Sequence, residues 1–169
     1  MVEVNFRHRD VSEVIAIDRI EELKQWRHDG DSVLIGSCVT YREIEHGALS
    51  TLIPALAQSA RTIGSPQIRN TGTIGGNLAT ASPAGDMIPV LLALGALVNV
   101  RSRSGARQLQ VDELITGVKT NSLREDEFIE SVRVPVLRGP QEFLKVGPRN
   151  AMVISVSSLA MVTDIDLSL

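Results

Sequence analysis

The 169-residue chain holds a single cysteine, Cys38. No internal disulfide can form, and neither a C-x-x-C metal pair nor a cysteine-held iron–sulfur cluster can be built within it. Aromatic residues make up only 3% of the sequence, so a core must come mostly from Ile, Val, Leu and Ala. Basic tracts longer than a couple of residues are missing, and the net charge is −3. That excludes nucleic acid as the main partner, because neutralising phosphates needs a concentrated positive face. The three histidines, His8, His28 and His46, lack metal-ligand spacing. The longest apolar run, 87–100, contains Pro89, Gly95 and Asn99 and is too short to span a bilayer. With no leader pattern either, the expected location is the cytoplasm.

What remains is ordinary for a globular protein: 43% hydrophobic and 22% charged residues, in a length that suits one domain, or one and a part. The most distinctive stretch runs from Gln67 through Thr71-Gly72-Thr73-Ile74-Gly75-Gly76-Asn77 to Ala81-Ser82-Pro83-Ala84-Gly85-Asp86. It reads as an irregular segment between two helices. Gly72, Gly75 and Gly76 permit backbone N–H groups to approach an anionic oxygen closely, and Thr71, Thr73 and Asn77 add side-chain donors. Ser82-Pro83 has the form of a helix entry, with Ser82 capping and Pro83 at the first helical position. A helix start beside such a loop suits phosphate. A glycine-rich turn between packed helices accounts for the same spacing, which matches neither G-x-G-x-x-G nor G-x-x-x-x-G-K-[ST].

Taken in order, residues 1–6 alternate as a strand does. Asp18 is placed to cap a short helix over 19–24, and Asp29-Gly30-Asp31 makes a turn into a buried strand, Ser32 to Gly36. Cys38, just beyond, reads as a small core residue rather than a reactive thiol. Thr40 and Glu43 form a capping box for a helix over Tyr41 to Glu45. A helix over Leu52 to Ile63 carries an apolar stripe of Ile53, Leu56, Ala57, Ala60 and Ile63, and stops at Gly64-Ser65-Pro66. Asp86 to Leu94 is helical, and Gly95 ends it. Leu97 to Arg101 and Arg107 to Val111 are the arms of a hairpin, after which Asp112 caps a short turn of helix. Phe128 to Val134, Phe143 to Val146 and Val153 to Thr163 are further strands, with Leu137 to Pro140 as a linker. Antiparallel strands with a few helices give an α+β fold.

These residues carry a resemblance. Gly64-Ser65-Pro66-Gln67-Ile68-Arg69-Asn70, Thr73-Ile74-Gly75-Gly76-Asn77 and Ala81 to Asp86 are similar to the FAD-binding subunit of the molybdenum hydroxylases, a group that includes xanthine, aldehyde and carbon monoxide dehydrogenases. Val33 to Tyr41, Gly117-Val118-Lys119, Leu123, Glu127 to Ile129, Val134-Pro135 and Phe143 to Ala151 match the family pattern in order. The resemblance implies an α+β fold like the middle subdomain of the PCMH-type FAD-binding fold over 1–138. The incomplete start of the family's C-terminal domain would follow over 139–169. It implies FAD as cofactor, contacted by Thr73, Ile74, Gly75, Gly76 and Asn77, with backbone N–H groups as the principal donors. Asp86, Leu123 and Lys145 would be further contacts. Plain structural roles compete at each: Asp86 as a helix cap, Leu123 as core, Lys145 as a solvated strand-end lysine.

In that family the flavin takes electrons from two [2Fe-2S] clusters that drain a molybdopterin centre, and passes them to an acceptor. Catalytic side chains are not expected, since the flavin does the redox chemistry. With one cysteine, both upstream centres must come from partner subunits. Family members carry a further loop of Ala-Gly-Gly-Thr-Asp type around the FAD diphosphate, which would sit just before Met1. Each charge-assisted hydrogen bond to such a diphosphate contributes roughly 1.5–3 kcal/mol, so the expectation is weak or no FAD binding by this chain alone. The alternative is a non-catalytic interaction or scaffold module that keeps the fold. Exposed strand edges around Val2 to Phe6 and Val153 to Val162 lead to an expected homo-oligomer.

Overall fold

The computed structural model describes residues 13–150 and 152–165. The strand expected over 1–6 lies outside them. Trp26–Asp29 (β1) and Ser32–Gly36 (β2) form a hairpin across Gly30, whose φ of +62° is the left-handed conformation that glycine adopts without strain. Leu97–Arg101 (β3) and Ala106–Gln110 (β4) form a second hairpin, and Phe128–Pro135 (β7) runs between the two. The result is a five-stranded antiparallel sheet in the order β1-β2-β7-β3-β4. Alternation puts Val33, Ile35, Val98, Val100, Ile129, Val132 and Val134 on one face. Helices cover that face and complete an aliphatic core, as the shortage of aromatics requires.

Tyr41–Glu45 (α1) starts at the expected capping box: the Glu43 amide donates to Thr40 Oγ1 at 3.3 Å, and the Thr40 amide to Glu43 Oε2 at 2.8 Å. The helix expected over Leu52 to Ile63 is in fact two, Ala48–Leu52 (α2) and Pro54–Thr62 (α3). Pro54 cannot donate to a continuing ladder and begins a new helix at its first position instead. Ile53, at the break, is fully buried. Pro66–Arg69 (α4) is a single turn capped by Ser65.

The glycine-rich stretch is not an irregular loop. Ile74–Thr80 (α5) is a helix, with Thr73 Oγ1 at its N-cap accepting from the Gly76 amide at 3.1 Å. It ends at Ala81 in the left-handed conformation. Ser82-Pro83 does not open the next helix. Ser82 Oγ accepts from the Ala84 amide within a turn, and Met87–Ala93 (α6) starts four residues past Pro83, ending at Gly95 with φ +63°. Of the helix expected over 19–24, Glu21–Lys24 coils, as a 3-10 turn after Ile20, with no side-chain cap from Asp18. Val111–Leu114 (α7) begins after Gln110, whose amide donates to Glu113 Oε2, so Asp112 is not its cap.

Ile115–Gly117 (β5) and Thr120–Asn121 (β6) make a small hairpin, and Gln141–Val146 (β8) and Ser157–Val162 (β9) a larger one. The latter packs on α3 and α6, with Phe143 buried in the core. Gln58 on α3 accepts from the Phe143 amide at 2.6 Å and donates to Glu142 at 3.0 Å.

Candidate functional site

Helix α5 rises where β2 ends, and its first amides close on the turn that follows that strand. The Ile74 amide donates to the Val39 carbonyl at 3.1 Å, Gly75 to Ser37 at 3.0 Å and Asn77 to Thr73 at 3.0 Å. With Gly76 on the Thr73 hydroxyl, each amide from 74 to 77 has an internal acceptor. The sequence-based expectation that these amides are the principal donors to a ligand is therefore corrected: helix formation and docking consume them. Ile74 is fully buried. The glycines serve close approach. A Cβ on Gly75 would lie 2.6 Å from Ser37 Cβ, and one on Gly72 would lie 2.5 Å from the Tyr41 ring. Gly76 is exposed, and its Cβ would meet only Thr73 Oγ1 at 3.2 Å.

Behind this helix start the structure assembles a buried polar cluster. Asp86 occupies the position before α6 without capping it. Its carboxylate accepts from Thr62 Oγ1 at 2.8 Å and from Lys145 Nζ at 2.6 Å. Lys145, on β8, also donates to the Thr62 carbonyl at 3.3 Å. Both charged side chains are buried, which sets aside the cap reading of Asp86 and the solvated-lysine reading of Lys145. Asn77 is buried beside them: its Nδ2 donates to the Tyr41 hydroxyl at 3.1 Å, and its Oδ1, behind Gly85, has no partner. Burial raises the pKa of the Tyr41 phenol, the Asp86 charge raises it further, and the Asn77 bond works in the opposite direction.

Leu123 belongs elsewhere along α5, a helix roughly 10 Å long. It is half-buried against the core, and its amide donates to Asn121 Oδ1 at 3.0 Å. Asn121 Nδ2 reaches the Ala79 carbonyl, near the far end of α5. The structure thus brings Asn77, Asp86 and Lys145 together, sets Thr73 to Gly76 at the helix start, and leaves Leu123 by the helix end. Thr62, Tyr41 and Gln58 were not singled out by sequence reasoning. Gln58 and Thr62 are four apart on α3, opposite the Leu56–Ala60 stripe, and that polar i, i+4 pair was the available signal. Cys38 is half-buried, its Sγ 3.8 Å from the Ile17 carbonyl, in a groove with Thr40, Thr71 and Thr73. Among the described residues no cluster of three or more His, Cys, Asp or Glu side chains can hold a metal, and no helix is long and apolar enough to cross a membrane.

With the amides of 74–77 engaged, the groups left for FAD, the cofactor the resemblance implies, are side chains. Asn77 Oδ1 is a buried acceptor without a donor. Lys145 and Thr62 border a cavity of about 680 Å³ that also takes in Arg61, Arg69 and Arg149.

An antiparallel sheet with helices over one face and a buried Asp–Lys pair beside a Thr-Ile-Gly-Gly-Asn helix start defines a class of domain, and comparison with known proteins assigns it. Residues 1–137 match the family described as the FAD binding domain in molybdopterin dehydrogenase, and the chain belongs to that family. It is 34% identical over 172 residues to the nicotinate dehydrogenase FAD-subunit of Eubacterium barkeri, covering 98% of this chain and 58% of that protein. It is 32% identical to the carbon monoxide dehydrogenase medium chain of Hydrogenophaga pseudoflava, covering 78% of this chain and 46% of that one. The solved carbon monoxide dehydrogenase from the same organism, lacking the Mo-pyranopterin moiety, superposes with a TM-score of 0.88 at 28% identity, over 94% of this chain and 56% of that chain. The chain thus spans about half the length of the relatives it matches.

Proposed function

We propose that this chain forms the FAD-binding part of the medium subunit of a molybdenum-dependent dehydrogenase of the xanthine, aldehyde or carbon monoxide type. A partner carrying two [2Fe-2S] clusters and a molybdopterin-binding large subunit supply the upstream centres. FAD, when bound, accepts electrons from those clusters and delivers them to an acceptor. The chain's own residues hold and orient it: Asn77 accepts from a donor on the cofactor, and Lys145, fixed by Asp86 and Thr62, sets the positive charge beside it. Thr73, Gly75 and Gly76 shape the helix start against which the cofactor lies, and Leu123 covers an edge. The complex is placed in the cytoplasm.

The observation that carries this reading is the buried Asp86–Lys145–Thr62 cluster next to an Asn77 oxygen without a donor. A plain packing element gains little from burying two charges and an orphan amide oxygen. Because the amides of 74–77 already have internal acceptors, this chain offers few donors to a diphosphate, which supports weak or no FAD binding in isolation.

The test is purification followed by FAD titration. The isolated chain is expected to be colourless after gel filtration and to quench flavin fluorescence only at high concentration. Stoichiometric yellow flavin that survives gel filtration overturns the weak-binding claim. Co-expression with iron–sulfur and molybdopterin subunits should recover flavin in a shared complex. The closed amides also favour a second reading, a scaffold module that keeps the fold without the cofactor. A reading frame extending upstream of Met1 into a Gly-Gly-Thr loop decides for the redox subunit; a stop codon there decides for the module.

A further inference from the structure

Asn77 has two unlike amide ends, and one neighbour decides which of them stays free. The side chain is buried on α5, with Nδ2 donating to the Tyr41 hydroxyl at 3.1 Å and Oδ1 without a partner. Half a turn of the amide would exchange acceptor for donor. Tyr41 is fixed against following such a change. It is buried at the start of α1, directly after the Thr40 cap, and its own amide donates to the Gly72 carbonyl at 3.0 Å. Its ring lies over Gly72, where a Cβ would come within 2.5 Å of it. The Asp86 carboxylate, held by Lys145 and Thr62, also acts on the phenol. That charge attracts the hydroxyl hydrogen and leaves an oxygen lone pair for Asn77 Nδ2.

Taking the chain as the FAD-binding part argued above, we infer that Tyr41 is a positioning residue for that site. Its hydroxyl locks the Asn77 amide with the oxygen free, so the ligand atom received there is a hydrogen-bond donor and not a phosphate oxygen. Tyr41 acts through Asn77. A buried pair kept for packing alone gains nothing from leaving half an amide unpaired, because apolar groups of the same shape fill the space without that cost. Gly72 takes on a different role from the one its spacing suggests. Its amide already donates to the Ile68 carbonyl at 2.7 Å, so it is bare to admit the Tyr41 ring and not to face an anion.

Nuclear magnetic resonance of the flavin-free 169-residue chain reads the lock directly. The Asn77 side-chain amide is the pair of proton–nitrogen signals lost in Asn77→Leu. One of its two protons is expected downfield, through the bond to Tyr41, and Tyr41→Phe should return it to the position of an unbonded amide. A pair of signals that Tyr41→Phe leaves in place overturns the inference. The second readout is FAD affinity in the complex co-expressed with iron–sulfur and molybdopterin subunits, stripped of flavin and titrated back. Tyr41→Phe should raise the dissociation constant about tenfold, the upper range for one neutral hydrogen bond. Combined with Asn77→Leu, it should add nothing to the loss that Asn77→Leu causes alone. Equal losses in both backgrounds would mean that Tyr41 acts by packing, and they overturn the inference. A complex that takes up no flavin overturns the FAD assignment, and this role falls with it; unchanged amide signals overturn the role alone.

Discussion

Lys145 Nζ lies 2.6 Å from Asp86 Oδ2, joining the outer hairpin to the start of α6 across 59 residues of sequence. The two side chains are 8% and 3% exposed, so the pair sits where water cannot replace either partner. Removing one member of such a pair leaves a bare buried charge, whereas removing both leaves a cavity that apolar groups can fill.

Lys145→Met should therefore cost about 3–5 kcal/mol of folding stability. Asp86→Leu combined with Lys145→Met should recover most of that loss. Urea denaturation of the two variants and the parent checks it. A double variant as unstable as Lys145→Met alone would mean that the bonds, and not the unpaired charge, dominate.

Gly75 separates packing from ligand binding as the reason for glycine at the start of α5. A Cβ there would lie 2.8 Å from the Ser37 carbonyl oxygen, a backbone atom that cannot swing aside. Gly75→Ala is expected to destabilise the flavin-free chain by about 1–3 kcal/mol. Gly76→Ala, on the exposed side, should be close to neutral, its helix-propensity gain of up to about 1 kcal/mol offset by the contact with Thr73. Urea midpoints measured without flavin decide it. Equal effects at the two positions would contradict the packing account.

The Gly75 case also marks where the sequence was legible and where it was not. Strands β2, β3, β4 and β7 were readable because alternation or a dense β-branched run meets a turn residue at each end. The Thr40–Glu43 capping box was readable because its partners are three residues apart. Helix α5 was hidden: two glycines in seven positions outweigh the Ile74–Leu78 pair on any propensity scale, and tertiary docking on β2 reverses that balance. Pro54 fits a helix start, but the apolar stripe running through it masks the break. In the candidate site, Asn77, Asp86 and Lys145 are named by family resemblance alone. That Asp86 and Lys145 bond each other depends on how a strand 59 residues on returns to the domain, which no local pattern encodes. Edge strand β1 was missed because its burial does not alternate.

Glu127 ties the approach to β7 to edge strand β4. Arg107 holds its carboxylate by two bonds of 2.8 Å, and the Arg124 amide adds a third, which lowers its pKa to about 2 from 4.5. A carboxyl with a depressed folded-state value stabilises the fold above its unfolded value and loses that contribution as pH falls through the folded one. Acidification from pH 4.5 towards about 2 should therefore lower the urea midpoint of the parent. Glu127→Gln should show a flatter profile across that window, from a lower plateau at neutral pH. Parallel profiles would remove Glu127 from the acid response.

Tyr41 is the only tyrosine in the chain, so its ionisation can be read without interference from a second phenol. Burial is the main reason its pKa lies above 10.0, and the Asp86 carboxylate pushes it the same way, whereas the bond from Asn77 Nδ2 favours the phenolate. Ultraviolet titration, with circular dichroism to mark the pH at which the fold is lost, should give a midpoint above 10. Asp86→Asn should shift that midpoint down, and Asn77→Ala should shift it up, because one removes a repelling charge and the other a donor. The opposite signs matter, since general loosening of the fold would move both variants towards the value of a free phenol. If both fall, Tyr41 does not fix the Asn77 amide, and the buried acceptor at Oδ1 loses the neighbour that orients it.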